Sequence, residues 1–223
     1  MKKTVKIVNI LVLLICLGWL IYIYPKLPDI IPTHWGLTGE IDGYGSKNTV
    51  LFLYGTMVFC NVIFDVARKI DPKSKNYDRF ESAFEIFKLI FTLFMTGLIV
   101  VTTSVNFKPN LNVSSFLTIG VGVMFAVIGN YMPTFKHNYT MGIKTPWTLA
   151  SETVWNKTHR MAGPVWMVGG IALAVSGIFL KPSRTSAVML AVLMVLIVIP
   201  MVYSYLVFKK EESAHDNSSD IEK

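Results

Sequence analysis

Six long uncharged stretches dominate the chain, and most of its charged residues lie in the short segments between them. The stretches are 17 to 27 residues long and occupy residues 7–25, 48–64, 89–107, 109–135, 161–180 and 185–208. A helix needs about 20 apolar residues to cross the hydrocarbon core of a bilayer, and these stretches are apolar on all sides. Barrel strands would instead alternate between apolar and polar residues. The pattern therefore predicts an all-α, polytopic membrane protein with a bundle of six transmembrane helices.

Composition agrees with this prediction and excludes a soluble globular protein. Apolar residues make up 52% of the chain and charged residues only 16%, against about 25% charged in an average soluble domain.

The first span follows three lysines and ends in aromatic residues without a small-residue cleavage site, which predicts a retained signal-anchor helix. Cys16 and Cys60 both fall within spans, which predicts buried thiols and no disulfide.

The distribution of basic residues predicts the orientation. If the N-terminus is cytoplasmic, the cytoplasmic segments carry fifteen Lys and Arg residues and the outside segments carry five, with Lys88 inside the third span. Because cytoplasmic loops are enriched in Lys and Arg, this bias places both termini in the cytoplasm. The net charge of +7 is then a signal of topology, and no nucleic-acid partner is expected because no basic groove interleaved with aromatic residues is evident.

Three regions follow from this layout. Residues 1–66 form an N-terminal helix pair with an outside loop at 25–47, and residues 67–210 form a four-helix membrane region. Residues 211–223 are polar and lack apolar periodicity, which predicts a disordered cytoplasmic tail.

Asp65 and Lys88 are expected to pair with charges one turn away on their own helices.

Small residues four apart predict close helix packing in the second half of the chain. The pairs are Gly122 and Ala126 in the fourth span, Gly170 and Ala174 in the fifth, and Ala187 and Ala191 in the sixth.

The outside loop at residues 25–47 contains three prolines and four glycines, which predicts a structured, turn-rich cap. His34, Trp35, Glu40 and Asp42 are its candidate ligand-binding residues, since they combine an imidazole, an aromatic ring and two carboxylates. Their spacing matches no recognised metal-ligand motif, so no bound metal is assigned. A metal or proton-sensing site stays an alternative to a structural role in which the carboxylates bind turn amides and pair with the imidazole.

The cytoplasmic loop at residues 130–160 is the richest polar segment. A short helix is expected to begin near Ser151, a favourable N-cap residue. Glu152, Trp155 and His159 would then share one helical face. Two interpretations of this face are open. It is either a cluster at the membrane edge for partner binding or acid–base chemistry, or part of an amphipathic turn whose polar side chains cap backbone groups. The candidate partner-binding residues are Asn138, Gly142, Pro146, Trp147, Trp155, Thr158 and His159.

Catalytic motifs do not emerge from the sequence. It contains no H-E-x-x-H, no G-x-S-x-G and no P-loop, and no pair of carboxylates falls in the middle of a span. The sequence therefore predicts a protein that is not an enzyme, with no catalytic residues and no cofactor.

Residues 129–170 resemble the signature region of the SdpI family of bacterial membrane proteins. The matching elements are N-Y at 138–139, G-I-K-T-P-W-T-L at 142–149, W-N-K-T-H-R at 155–160 and Gly163. Residues 27–47 resemble the proline-, histidine- and glycine-bearing loop of an uncharacterised domain that is often found at the front of such proteins. With the six-span layout, the resemblance covers nearly the whole chain.

The resemblance implies an immunity protein in the cytoplasmic membrane of a Gram-positive bacterium. Such a protein gives resistance to a secreted antimicrobial peptide toxin and recruits a cytoplasmic repressor to the membrane when the toxin arrives. The expected partners are therefore membrane lipid, a peptide toxin on the outer face and a repressor on the cytoplasmic face. The alternatives are a receptor or binding module for another ligand, and less favoured, a transporter or intramembrane enzyme.

Overall fold

In a computed structural model of the chain, the six predicted spans form helices that are long and apolar enough to cross a membrane. The structure describes residues 2–36, 38–109 and 111–221. The six long helices and one short helix, α5, are α1 (Lys2–Ile23), α2 (Asn48–Ile70), α3 (Glu81–Ser104), α4 (Val113–Tyr131), α5 (Pro146–Ala150), α6 (Glu152–Phe179) and α7 (Pro182–Ile221). The prediction of an all-α polytopic chain is thus confirmed at the level of its helices.

Side-chain caps define where two of the helices begin. The Asn112 carboxamide oxygen accepts a hydrogen bond from the Ser115 amide at 3.0 Å at the start of α4. The Ser151 hydroxyl accepts one from the Val154 amide at 3.2 Å at the start of α6. The helix predicted near Ser151 is therefore real, but it is not short: it continues without a break into the fifth span. Pro164 lies inside α6 and does not end it, as is common in membrane helices.

The closest helix packing is between α4 and α6, where glycines allow the two backbones to touch. A Cβ atom on Gly122 would lie 2.4 Å from the Ala174 amide nitrogen, and one on Gly170 would lie 2.4 Å from the Ala126 amide nitrogen. These are the small residues that the sequence singled out in the fourth and fifth spans. The prediction of close packing there is confirmed, and it follows from van der Waals contact between backbones that side chains would hold apart.

The last helix, α7, departs from the sequence predictions in two respects. Ala187 and Ala191 are exposed, so the small-residue pair predicted for helix packing in this span faces outward. The helix also continues to Ile221, whereas a disordered tail was predicted for residues 211–223. Lys, Glu and Ala residues with high helix propensity follow the span and allow the helix to extend. Residues 222–223 lie outside the described residues.

The helices pack as two groups of three. In the first group, α1 and α2 both pack against α3 and barely touch each other; in the second, α6 packs between α4 and α7. Contacts between α3 and α4 join the groups. Helix α3 packs both with the helices before it and with α4, and the division at residue 66 stays a prediction.

The loop at residues 25–47 folds as a β-hairpin, which the all-α prediction did not contain. Strand β1 (Ile30–Trp35) pairs antiparallel with β2 (Ile41–Ser46), with an irregularity around His34. Trp35 packs against a small core formed by Val101, Val105 and Val113, which fixes the hairpin over the link between α3 and α4. We call this the hairpin end of the bundle.

Polar contacts bring the start of α1 and the last part of α7 to the opposite end, which we call the termini end. The Lys2 ammonium lies 2.6 Å from a carboxylate oxygen of Glu81 at the start of α3. The Ser151 hydroxyl, at the start of α6, donates to Glu211 of α7 at 2.7 Å. The termini end therefore also carries the α2–α3 link and the loop before α5.

Candidate functional site

A buried polar cluster at the termini end joins the loop before α5 to the α2–α3 link and to α6. We call it the loop cluster. Its members are Asp71, Tyr77, His137, Asn138, Gly142, Trp155 and His159.

Asp71 connects the two links through one carboxylate. One oxygen accepts hydrogen bonds from the Tyr77 hydroxyl at 3.0 Å, the Tyr139 amide at 2.9 Å and the Thr140 hydroxyl at 3.0 Å. The other accepts from the Lys73 amide at 2.8 Å. Burial by itself would raise the pKa of this carboxyl, but the four donors outweigh it and hold the pKa below its ordinary value. The charged form of Asp71 therefore stabilises the loop.

Asn138 fixes the turn of the loop with both ends of its carboxamide. The oxygen accepts from the Thr140 and Met141 amides at 2.9 and 2.6 Å. The nitrogen donates to the Lys136 and Met141 carbonyls at 2.8 and 3.0 Å. The Tyr77 hydroxyl lies 3.1 Å from the same oxygen. Because the side chain is fully buried, losing any of these partners would leave a polar atom unsatisfied.

His159 binds the loop through one ring nitrogen and the backbone of its own helix through the other. Its Nε2 accepts a hydrogen bond from the Ile143 amide at 2.9 Å, which requires Nδ1 to carry the proton and donate to the Trp155 carbonyl at 2.9 Å. The ring stacks on the Trp155 indole with centroids 4.1 Å apart. This neutral imidazole has no nitrogen left for acid–base chemistry, so its geometry favours a structural role.

Gly142 lets the backbone reach His159. Its φ is +119°, and a Cβ atom there would lie 2.5 Å from the His159 Nε2 and 3.1 Å from the Trp155 ring. On the other side of the ring system, the Trp155 indole donates to the Phe135 carbonyl at 2.8 Å. The loop is therefore attached to α6 before and after its turn.

His137 completes the cluster on the far face of Trp155, with ring centroids 5.1 Å apart. Its Nδ1 lies 2.6 Å from the Lys73 ammonium, and its carbonyl accepts from the Asn76 side chain at 2.7 Å. Burial lowers the pKa of His137, and the neighbouring ammonium lowers it further. The ring is thus held neutral as the acceptor for Lys73.

Most of the residues predicted to bind a partner lie inside the protein. Asn138, Trp155, Thr158 and His159 are each at most 1% exposed, so in this arrangement they hold the loop and offer no surface. The Thr158 hydroxyl oxygen has no hydrogen-bond partner among the residues that the structure describes, and nothing in the structure explains why. Glu152 is exposed, so it does not share the buried face of Trp155 and His159.

Three other predicted residues lie at or near the surface. Gly142 is half-buried, and Pro146 is exposed at the start of α5. The half-buried Trp147 packs on Tyr205 of α7, with ring centroids 5.1 Å apart. The loop is therefore attached to α7 as well as to α6.

Sequence reasoning missed Asp71, Tyr77 and His137. The first two come from the α2–α3 link and contact the loop across 61 to 69 residues of sequence. The only local signal was a carboxylate and a tyrosine beside the end of an apolar span, which does not reveal a distant partner. His137 is next to Asn138 and carries the same signal as the other polar loop residues.

At the hairpin end, the structure brings His34 and Asp42 together. The His34 Nδ1 contacts an Asp42 carboxylate oxygen across the two strands, which confirms the expected pairing of the imidazole with one of the carboxylates. A Cβ atom on Gly36 would lie within 3.1 Å of the Glu40 and Asp42 side chains, so both carboxylates lie on the same side of the turn. Among the described residues, no group of three potential metal ligands comes together.

Asp65, Arg68 and Lys88 pair with charges on other elements, and within the described ranges none of their ion pairs joins two residues of one helix, contrary to the sequence prediction. The Lys88 ammonium of α3 lies 2.7 Å from both carboxylate oxygens of Asp65 in α2. Arg68 lies 3.3 Å from Asp78 and 3.4 Å from Glu81. Helix crossing brings these groups closer than the one-turn spacing that the prediction used.

Comparison with known proteins identifies similarity along nearly the whole chain. Residues 134–204 match the model of the SdpI/YfhL protein family, and residues 11–58 match a domain of unknown function, DUF1648. The chain is 27% identical over 213 residues to the Immunity protein SdpI of Bacillus subtilis (strain 168), which covers 94% of this chain and 98% of the relative. No solved structure matches the chain.

The family match coincides with the structural centre of the candidate site. It contains all of the loop from Phe135 onward, α5 and α6, and therefore five residues of the loop cluster: His137, Asn138, Gly142, Trp155 and His159. With six helices able to cross a bilayer, the chain is a multi-pass protein of the cell membrane that is similar to the SdpI/YfhL protein family.

Proposed function

We propose that this chain is an immunity protein that gives the cell resistance to a secreted antimicrobial peptide. The observation that carries the proposal is the similarity to the Bacillus subtilis immunity protein, which extends over 98% of that relative. A similarity of this extent includes both ends of the bundle and is not confined to one motif. The engaged ring nitrogens of His159 also favour a binding or signalling role over catalysis.

We infer that the termini end faces the cytoplasm. The segments at that end carry fifteen basic residues against five at the hairpin end, and the side rich in Lys and Arg is retained in the cytoplasm. The hairpin then faces the medium from which a secreted peptide arrives. The His34 side chain is 72% exposed and that of Asp42 is 43% exposed, so this pair is available to an external ligand, with Glu40 and Trp35 beside it.

For the repressor, the structure supports a different surface from the one that the sequence suggested. Trp155 and His159 are buried, whereas Tyr139, Lys144 and Pro146 are exposed on the same loop. We propose that the exposed residues contact the repressor and that the buried ones set the shape of the loop. A toxin can signal through this loop only if it binds one arrangement of the bundle more tightly than another.

Expression of the chain in a cell that is sensitive to the peptide tests the proposal. We expect survival in the presence of the peptide, with the concentration of intact peptide in the medium unchanged. Killing at normal membrane abundance of the protein would contradict an immunity role. Loss of intact peptide would instead indicate catalysis.

Variants in the hairpin separate ligand binding from folding. His34→Ala is expected to reduce protection without reducing the amount of protein in the membrane, because it removes the exposed imidazole but no core contact. Thr38→Ala, at the exposed hairpin turn, is the control and is expected to protect fully. Full protection by His34→Ala would show that the imidazole only packs against Asp42.

A further inference from the structure

A groove opens at the hairpin end between α1, α3 and the start of α4. Its volume is about 640 Å³, and its walls are mainly apolar, with Trp19, Val100, Val101 and Phe116 among them. The rim is exposed to the surroundings of the bundle: Tyr22 is 60% exposed and Phe107 is 50% exposed. The groove therefore faces the bilayer and the membrane surface and is not an internal core cavity.

The Trp19 side chain presents an apolar surface to the groove. The Trp19 indole N–H donates to the Thr103 hydroxyl at 3.1 Å inside the bundle, which leaves the ring as an apolar wall. Along α3 the lining runs from Gly97 to Ser104, a distance of about 10 Å at 1.5 Å per residue. A groove of this length can hold the part of a lipid acyl chain nearest to the headgroup. Its apolar walls would not retain ordered water.

The charges at the groove are all of one sign. Among the residues that the structure describes, Lys26 and Lys108 are its only charged lining residues, and none of the lining residues is a carboxylate. The Lys26 ammonium lies 3.2 Å from the centroid of the Tyr22 ring, which holds it at the rim. An occupant that satisfies both features needs an apolar body and a negatively charged head.

We propose that this groove binds an anionic phospholipid, with an acyl chain against the apolar walls and the phosphate between Lys26 and Lys108. Lipid is the occupant that the position favours, because a groove open to the bilayer is always in contact with it. Basic residues near the membrane surface attract anionic headgroups. The two lysines then give selectivity for anionic over neutral headgroups, and the apolar walls add affinity for any acyl chain.

The lipid site is also connected to the hairpin. Val101 lines the groove and belongs to the core against which Trp35 packs, and Phe116, which also lines the groove, packs against the same core. A bound acyl chain therefore packs against the same wall that holds the hairpin in place. The proposal does not depend on the immunity role, because it concerns the purified protein and its lipids.

Native mass spectrometry of the full chain in detergent tests the proposal, with phosphatidylglycerol and phosphatidylcholine of identical acyl chains. We expect tighter binding of phosphatidylglycerol, and a loss of about tenfold in that affinity for the double variant Lys26→Gln/Lys108→Gln. The control is Lys181→Gln/Arg184→Gln, which removes two exposed basic residues at the same end outside the groove lining. It is expected to retain the affinity.

A second variant tests the acyl-chain position without changing charge. Val100→Trp fills the groove and is expected to weaken binding of both lipids, with helicity measured by circular dichroism unchanged. Equal affinity for the two lipids, no loss in the Lys26→Gln/Lys108→Gln variant, or an equal loss in the control would each overturn the proposal. Unchanged lipid binding by folded Val100→Trp would overturn it as well.

Discussion

Gly142→Ala is the sharpest test of the loop cluster, because it alters one backbone position and one hydrogen bond. The φ of +119° lies in a region that favours glycine, and the new Cβ atom would lie 2.5 Å from the His159 Nε2. Either the loop moves away from α6 or the imidazole does. In both cases the hydrogen bond between the Ile143 amide and His159, now 2.9 Å long, is lost.

The magnitude follows from these two effects. A non-glycine residue in such a backbone conformation costs about 1–3 kcal/mol. A buried amide that loses its acceptor costs about 1–3 kcal/mol more. We therefore expect the free energy of loop opening to fall by about 2–6 kcal/mol, which increases the open population at least about thirtyfold.

Tryptic cleavage after Lys144, an exposed residue of the same loop, measures this opening in detergent-solubilised protein. The control is Gly55→Ala in α2, where a Cβ atom meets nothing within 4 Å and the change favours the helix. Gly142→Ala is expected to be cleaved much faster than the wild type, and Gly55→Ala at the wild-type rate. Equal cleavage of all three proteins would refute the attachment of the loop through Gly142 and His159.

Three further predictions concern pH, helix packing and ion pairs. Acidification is expected to lower the protection of the loop against hydrogen exchange, because the folded state lowers the pKa values of His137 and Asp71. A group of lowered pKa stabilises above its unfolded pKa and loses that effect as pH falls, so the protection factors, taken relative to the intrinsic exchange rate at each pH, should fall below about pH 6.5 and again below about pH 4; constant protection factors between pH 7.5 and 3 would argue against this. Gly170→Ala should lower the thermal midpoint far more than Gly55→Ala, because its Cβ atom would lie 2.4 Å from the α4 backbone, and equal midpoints would count against the close packing of α4 and α6. Asp65→Asn should destabilise the protein more than Lys88→Met, because the Lys88 side chain is 7% exposed and that of Asp65 is 52% exposed; the opposite order of thermal midpoints would contradict the pairing.

The six spanning helices could be predicted from the sequence because their apolar runs are about as long as a membrane span, and membrane insertion depends on that length. It also singled out Gly122, Ala126, Gly170 and Ala174 as small residues for close packing, but the contact of Gly122 with Ala174 and of Gly170 with Ala126 came from the structure. The hairpin was expected only as a structured cap. Its proline and glycine content obscured the strand periodicity, and its pairing depends on contacts between residues up to 16 positions apart.

For the candidate site, residue types could be predicted but burial could not. Asn138, Trp155 and His159 were recognised as polar and aromatic residues at the edge of a span. Their burial depends on Asp71 and Tyr77, which approach from the α2–α3 link. Apolar periodicity carries no information about such a contact, and a helical wheel correctly placed Trp155 and His159 together without showing that a loop covers them.

The central claim is that the hairpin faces the exterior and the loop cluster faces the cytoplasm. Labelling with a membrane-impermeant maleimide measures this directly, in a background where Cys16 and Cys60 are replaced by Ala. Tyr44→Cys tests the hairpin, since Tyr44 is 65% exposed, and Lys144→Cys tests the exposed loop. The account predicts that Tyr44→Cys is labelled on intact cells and that Lys144→Cys is labelled only after permeabilisation. Labelling of Lys144→Cys on intact cells, with Tyr44→Cys protected, would contradict it.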